Sequence, residues 1–209
     1  MRIHDISLPL GSRTAVWPGD RTVDVSWTLR RERGDSVNVA ALSASVHAGT
    51  HADGFLHVED GGDPAGAMPL DAFVGRCVVV DVTGRVEVRE EDVAGVDLAG
   101  AGRLLLRTRT EVDETAFPTS FAHITPELAR RLAGAGIRLV GTDAPSVDPV
   151  DSTALETHRV LAAARVAILE NLDLRGVEPG EYTLVALPLR LVEADSSPVR
   201  AVLIEGDAP

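Results

Sequence analysis

Apolar positions recur along this chain in three rhythms. Val23, Val25, Trp27 and Leu29 alternate with polar neighbours, the period-two pattern of a half-buried strand over residues 23–29. Residues 37–46 repeat it through Val37, Val39, Ala41 and Ser43, in register with His47. From Arg76 the rhythm changes to short unbroken apolar runs at 77–82, 104–106 and 137–140, which suit strands covered on both faces. The third rhythm is helical. Thr125 is a good N-cap with Pro126 at the first helical position, and Gly134 or Gly136 ends that helix. Residues 152–164 read as the next helix, with Leu155, His158, Leu161 and Ala162 on one inward stripe. A buried strand follows at 166–170, and two more at 182–191 and 199–204. Residues 3–10 form a short apolar segment, Trp17-Pro18-Gly19-Asp20 a turn, and 59–69 a loop rich in Gly, Asp and Pro. The predicted class is α/β, with mixed sheets and few helices, in a single domain spanning residues 1–209.

Composition narrows the possible functions. A net charge of −12 argues against nucleic acid and against an anionic membrane surface as partner. No apolar stretch approaches the roughly 20 residues of a membrane span, and the opening lacks a signal-peptide core, so a cytoplasmic protein is expected. Cys77 is the lone cysteine and opens an apolar run, where a thiol is an inert packing group. All 20 basic residues are arginine, which removes a lysine Schiff base and a P-loop lysine. Neither a G-x-S-x-G elbow nor a G-x-G-x-x-G fingerprint occurs.

The remaining chemistry lies in residues 47–57. His47, His51, Asp53 and His57 occupy odd positions, so an extended strand would project all four from one side. Imidazoles and carboxylates are ligands for zinc and similar divalent ions. Half-buried, hydrogen-bonded strand histidines are the plainer reading, against which four potential ligands facing one way weigh heavily. Glu170, at the end of a buried strand, needs an arginine or a metal. His158 faces inward from its helix; alone it would be a satisfied core histidine. Together these residues suit a pair of divalent ions about 3.5–4 Å apart that share a carboxylate and activate a water. One histidine would then be spare for proton transfer.

The pattern H-x-G-[TA]-H-x-D-x-P-x-H, present here from His47 to His57 except at the proline, resembles the cyclase-like metal-dependent hydrolases, and among them the arylformamidase (kynurenine formamidase) branch. The likeness extends through Trp17-Pro18-Gly19-Asp20, residues 141–149, Ile168-Leu169-Glu170-Asn171-Leu172, Ala186-Leu187-Pro188-Leu189 and residues 195–203. It implies a swivelling β/β/α architecture, assembled as a homodimer or higher homo-oligomer. It implies two divalent ions, zinc before manganese, with His47 and His51 on the first, His158 on the second, and Asp53 and Glu170 bridging. It makes His57 the proton donor and acceptor and sets Trp17 against the ring of a small aromatic amide. The implied reaction is hydrolysis of N-formylkynurenine to kynurenine and formate. Isatin or another cyclic or aromatic amide is the alternative substrate, and a non-catalytic metal-binding protein the rival class.

One departure stands out: Gly54-Phe55 replaces the family's usual alanine or serine and proline. Phe55 is accordingly a candidate substrate-binding residue, with packing in a subunit interface as the other reading. Residues 143–149 suit a rigid turn, Asp195 and Arg200 a structural ion pair before a contact with a substrate carboxylate, and residues 111–114 a solvated loop. His4 and His123 have no partner pattern.

Overall fold

The unbroken apolar runs lie side by side at the centre of the molecule. In the computed structural model, which describes residues 1–206, the strands are β1 (Arg2–Asp5), β2 (Asp24–Leu29), β3 (Val39–Ser43), β4 (His51–Asp53), β5 (Val74–Asp81), β6 (Glu87–Val88), β7 (Arg103–Arg107), β8 (His123–Ile124), β9 (Leu139–Thr142), β10 (Ala167–Glu170), β11 (Gly180–Val185), β12 (Ser196–Pro198) and β13 (Val202–Glu205). The helices are α1 (Leu98–Ala101), α2 (Pro126–Gly134) and α3 (Glu156–Ala163). A nine-stranded sheet runs β1-β13-β11-β5-β7-β9-β10-β4-β12, and β5, β7, β9 and β10 are parallel neighbours within it. The fold is thus mixed α/β.

Side-chain alternation explains why these runs are apolar throughout. Val79, Leu105, Leu139 and Leu169 enter one core with Phe73 and Leu172. Leu104, Leu106, Val140 and Ile168 enter a second core with Leu128, Leu132 and Leu161 of α2 and α3. Both faces are covered, so polar residues have no place in the run.

Thr125 caps α2 by accepting the Leu128 N–H at 3.3 Å, with Pro126 opening the helix. Helix α3 starts at Glu156, later than the pattern predicts, because Leu155 adopts a left-handed conformation (φ 47°). Asp148 caps it instead, accepting the Thr157 and His158 N–H groups at 3.0 Å each.

Three expectations need correction. Val23 is buried, but residues 24–29 are not half-buried: β2 pairs only with β3 as an antiparallel hairpin, and Val25, Trp27, Leu29, Val39 and Leu42 are exposed. The alternation marks a face that the described residues leave exposed. The second strand also stops at Ser43, short of His47, and turns take over; Ala48 N–H donates to the Ser45 carbonyl and Gly49 has φ +65°. The strand expected over 182–191 ends at Val185, ahead of Pro188, which has no N–H to offer a ladder. Among the described residues no helix is long and apolar enough to cross a membrane.

Candidate metal centre

Strand β4 sets the geometry. It lies between β10 and β12, both antiparallel to it, with Glu170 opposite His51 and Ser196 opposite Asp53. His51, Asp53 and Glu170 therefore share one face of the sheet beyond the carboxyl ends of the parallel strands, where α/β folds place ligands.

His51 is buried, and its Nδ1–H donates to the Gly49 carbonyl at 2.8 Å. That bond fixes the tautomer and leaves Nε2 with its lone pair directed inward. Nε2 is buried without a hydrogen-bond partner, 3.6 Å from Asp53 Oδ1 and 3.4 Å from Glu170 Oε2. His158 is oriented likewise: its Nδ1 contacts Asp148 Oδ2 at 2.6 Å, and its Nε2 lies 3.5 Å from Asp53 Oδ2 and 3.3 Å from Glu170 Oε1. Both oxygens of Asp53 are buried and make no hydrogen bond. Glu170 Oε1 accepts the Val147 N–H at 2.8 Å, and no arginine reaches either carboxylate.

Burial pushes the Asp53 carboxyl up, but the His158 and His47 imidazoles outweigh it and hold the group well below the usual range. Burial and the Asp53 charge push Glu170 up, and His158 and His51 bring it down. Burial opposes a charge on His158, yet Asp148, Asp53 and Glu170 together raise it well above the ordinary value. Imidazoles converging on anions with idle oxygens describe a cation site: protons hold the charges apart when no ion does.

The other side of the cage is more open. His47 sits in the turn before β4, with Nδ1 3.3 Å from Asp53 Oδ1 and Nε2 2.9 Å from Asp195 Oδ2. His57 lies on a single 3-10 turn and contacts the same Asp195 oxygen through Nδ1 at 3.1 Å. Burial lowers the His47 imidazole, but Asp195 and Asp53 prevail and raise it to about 10. His47 and then His57 hold Asp195 far below the usual carboxylate range. Two three-residue groups have donor atoms within 4.8 Å of one another and share Asp53, namely His47–His51–Asp53 and Asp53–His57–His158. The orphaned Asp53 oxygens and His51 Nε2 fit a divalent metal; the donor set of nitrogen and oxygen suits zinc or manganese.

A cavity of about 360 Å³ opens over the cage, with His47, His51, His57, His158 and Glu170 on its floor. Trp17 and Phe117 form its wall, their ring centroids 4.9 Å apart and edge-to-face, with Phe121 6.4 Å from Trp17. The chain has two tryptophans, four phenylalanines and one tyrosine, so three of its few aromatics gather here. A larger open hollow of about 770 Å³ lies on the far side of Asp148, between Glu87, His123 and Glu156, and contains none of the cage imidazoles.

The structure thus brings together His47, His51, Asp53, His57, His158 and Glu170, with Trp17 above them. Phe55 goes elsewhere. It is buried in the core, with the Arg165 guanidinium 4.7 Å over its ring, and it does not line the cavity. A Cβ on Gly54 would meet the Ala65 nitrogen at 2.7 Å, so the 59–65 loop closes tightly on this turn and leaves no room for the family's usual alanine or serine there. Arg200 pairs with Asp5 at 2.5 Å, leaving Asp195 to the two histidines. Residues 111–114 are more than a solvated loop, since Val112, Asp113 and Glu114 help wall the cavity. Asp148, Asp195, Phe117 and Phe121 were not expected at the site from sequence. The two phenylalanines four residues apart in an aromatic-poor chain were the available signal.

A buried cage of imidazoles and carboxylates under an aromatic-walled cavity is the arrangement of a metal-dependent hydrolase. The chain belongs to the putative cyclase family, whose model matches residues 4–149. It is 45% identical over 212 residues to a kynurenine formamidase of Salinibacter ruber (strain DSM 13855 / M31), with all of both chains covered. Among solved structures it is similar to a potential metal-dependent hydrolase with cyclase activity, with a TM-score of 0.86 and 30% identity over 99% of each chain. It shares the fold of isatin hydrolase A from Labrenzia aggregata, with a TM-score of 0.77 and 22% identity over 97% of this chain and 93% of that one.

Proposed function

We propose that this protein is an arylformamidase that hydrolyses N-formylkynurenine to kynurenine and formate. The observation that carries the reading is Asp53, whose two buried oxygens have no hydrogen-bond partner and face imidazoles beneath a wall of aromatic rings. The full-length likeness to a kynurenine formamidase supports the choice of substrate. On this reading His47 and His51 would hold one divalent ion and His158 a second, with Asp53 and Glu170 available to both, zinc being the expected metal and manganese the alternative. Such a pair supplies an activated water and polarises the carbonyl oxygen.

The chain's own groups do the rest. Trp17 and Phe117 offer flat apolar surface to the aryl ring, which orients the formamide over the cage. His57, held through Nδ1 by Asp195, keeps Nε2 for proton exchange. It takes a proton as water adds to the formyl carbon and delivers it to the aryl nitrogen as the C–N bond breaks. Without that proton the departing arylamine would leave as an unstable anion. Asp195 positions the ring through its contact with Nδ1, as an acidic partner does for a catalytic histidine.

The exposed apolar face of the β2–β3 hairpin supports assembly as a homodimer or higher oligomer. A single cysteine suits the reducing cytoplasm.

The test is kynurenine formation from N-formylkynurenine by purified protein, before chelation, after it, and after zinc is returned. Turnover that vanishes and recovers supports the reading. A metal-loaded protein that opens isatin but leaves N-formylkynurenine intact overturns it.

A further inference from the structure

Two arginines of the segment around β7 meet opposite fates. Arg103 is buried, and carbonyls surround its guanidinium: Nε donates to Ala72 at 2.6 Å, Nη1 to Arg76 at 3.1 Å, and Nη2 to Asp71 and Val74. It is a structural pin. Arg109, just beyond the carboxyl end of β7, has Nε and Nη2 buried with no partner at all. A desolvated guanidinium left unpaired is costly, and folded proteins retain one where a ligand completes it.

Nearby anions are already engaged. Asp143 accepts from the Thr108 N–H at 3.0 Å and the Arg109 N–H at 3.1 Å, which fixes the backbone of Arg109 without reaching its side chain. Asp173 and Glu114 both pair with Arg175. Arg109 itself lines the cavity over the cage. Its strand is separated from that of Glu170 by β9 alone; Leu106 is level with Glu170 across the sheet, and Arg109 lies three residues beyond it. The cavity thus has the cage at one place in its lining and an uncompleted guanidinium at another, where a second substituent of a ring-bearing substrate can reach it.

We propose that Arg109 is the carboxylate-binding residue of this cavity, taking the α-carboxylate of an amino-acid side chain carried by the aryl substrate. The inference rests on the arylformamidase reading for the position of the ring, and it restricts the substrate class to aryl amino acids over bare anilides and cyclic lactams. A guanidinium fork matches a carboxylate with two parallel hydrogen bonds, which an ammonium cannot do. Asp20 and Asp113 on the same cavity wall favour a zwitterion, since they attract an α-ammonium and repel a second anionic group.

The test separates binding from turnover. Kynurenine and its decarboxylated counterpart kynuramine are titrated by calorimetry into zinc-loaded wild type, Arg109→Gln and Arg109→Lys. In parallel, kcat and KM are measured for N-formylkynurenine and formanilide. Arg109→Gln should weaken kynurenine binding and raise KM for N-formylkynurenine by about ten- to hundredfold, with a much smaller change for kynuramine and formanilide. Arg109→Lys should recover part of the affinity, which also covers a Gln variant that folds poorly. Equal losses for kynurenine and kynuramine, or no loss for either, overturn the subsite even where N-formylkynurenine is hydrolysed. Kynurenine binding that depends on Arg109 in a protein unable to hydrolyse N-formylkynurenine keeps the subsite and overturns the function. A wild type that binds neither compound and cleaves neither substrate overturns both.

Discussion

The two sides of the cage are built to different standards of rigidity. His51, Asp53, His158 and Glu170 lie on strands or a helix, with side chains no more than 5% exposed. Three of these have a second atom tied down, by the Gly49 carbonyl, the Asp148 carboxylate or the Val147 N–H. His47 and His57 stand on turns, with side chains 23% and 27% exposed, and share one carboxylate that is itself 41% exposed. A side that must hold a cation gains from fixed ligands and low dielectric, because both sharpen its preference for charge. A side that must exchange protons needs water and some freedom of the ring. The contrast supports the proposed division, with ion holding given to the first group and proton traffic to the second, and His47 at the boundary.

Three substitutions probe that division, in descending order of effect. Asp53→Ala removes the carboxylate that both ligand groups share, and should abolish activity together with bound metal, read by elemental analysis of the purified protein. Stoichiometric metal in that variant would break the bridging assignment. His57→Ala should lower turnover by about 10²–10⁴-fold while metal content stays unchanged. A parallel loss of metal would move His57 to the ion-holding side and erase the contrast. Asp148→Asn keeps the shape and weakens the acceptor behind His158, so metal affinity should fall by about 10–100-fold in a chelator competition. An unchanged affinity would show that orientation by the helix alone suffices.

Much of this was legible in the amino-acid sequence where the cause is local. The runs at 77–82, 104–106 and 137–140 are apolar because both of their faces are covered, and they became β5, β7 and β9. Thr125 and Pro126 marked the start of α2 for reasons contained in four residues. The donor residues were legible because histidine is scarce here, yet the supposed geometry was only partly right. Period-two projection holds for His51 and Asp53 on β4; His47 arrives through a turn with Gly49 at positive φ, and His57 through a 3-10 turn. What could not be read were partners chosen by tertiary packing. Asp195 meets His47 across 148 positions of chain, and Asp148 reaches His158 only because α3 docks on it. Phe55 packs into the core formed with Phe73, Leu169 and Leu172, far away in sequence, and not into the cavity. The β2–β3 alternation was real, but among the described residues its apolar side chains stay exposed.

Strand β4 is three residues long and is hydrogen-bonded on one side to residues near 170 and on the other to Ser196–Pro198. Synthesis delivers the histidines of residues 47–57 early and their enclosing walls last. A growing polypeptide on the ribosome therefore displays exposed imidazoles long before it owns a compartment for them, and premature termination ahead of Ser196 leaves them with no roof.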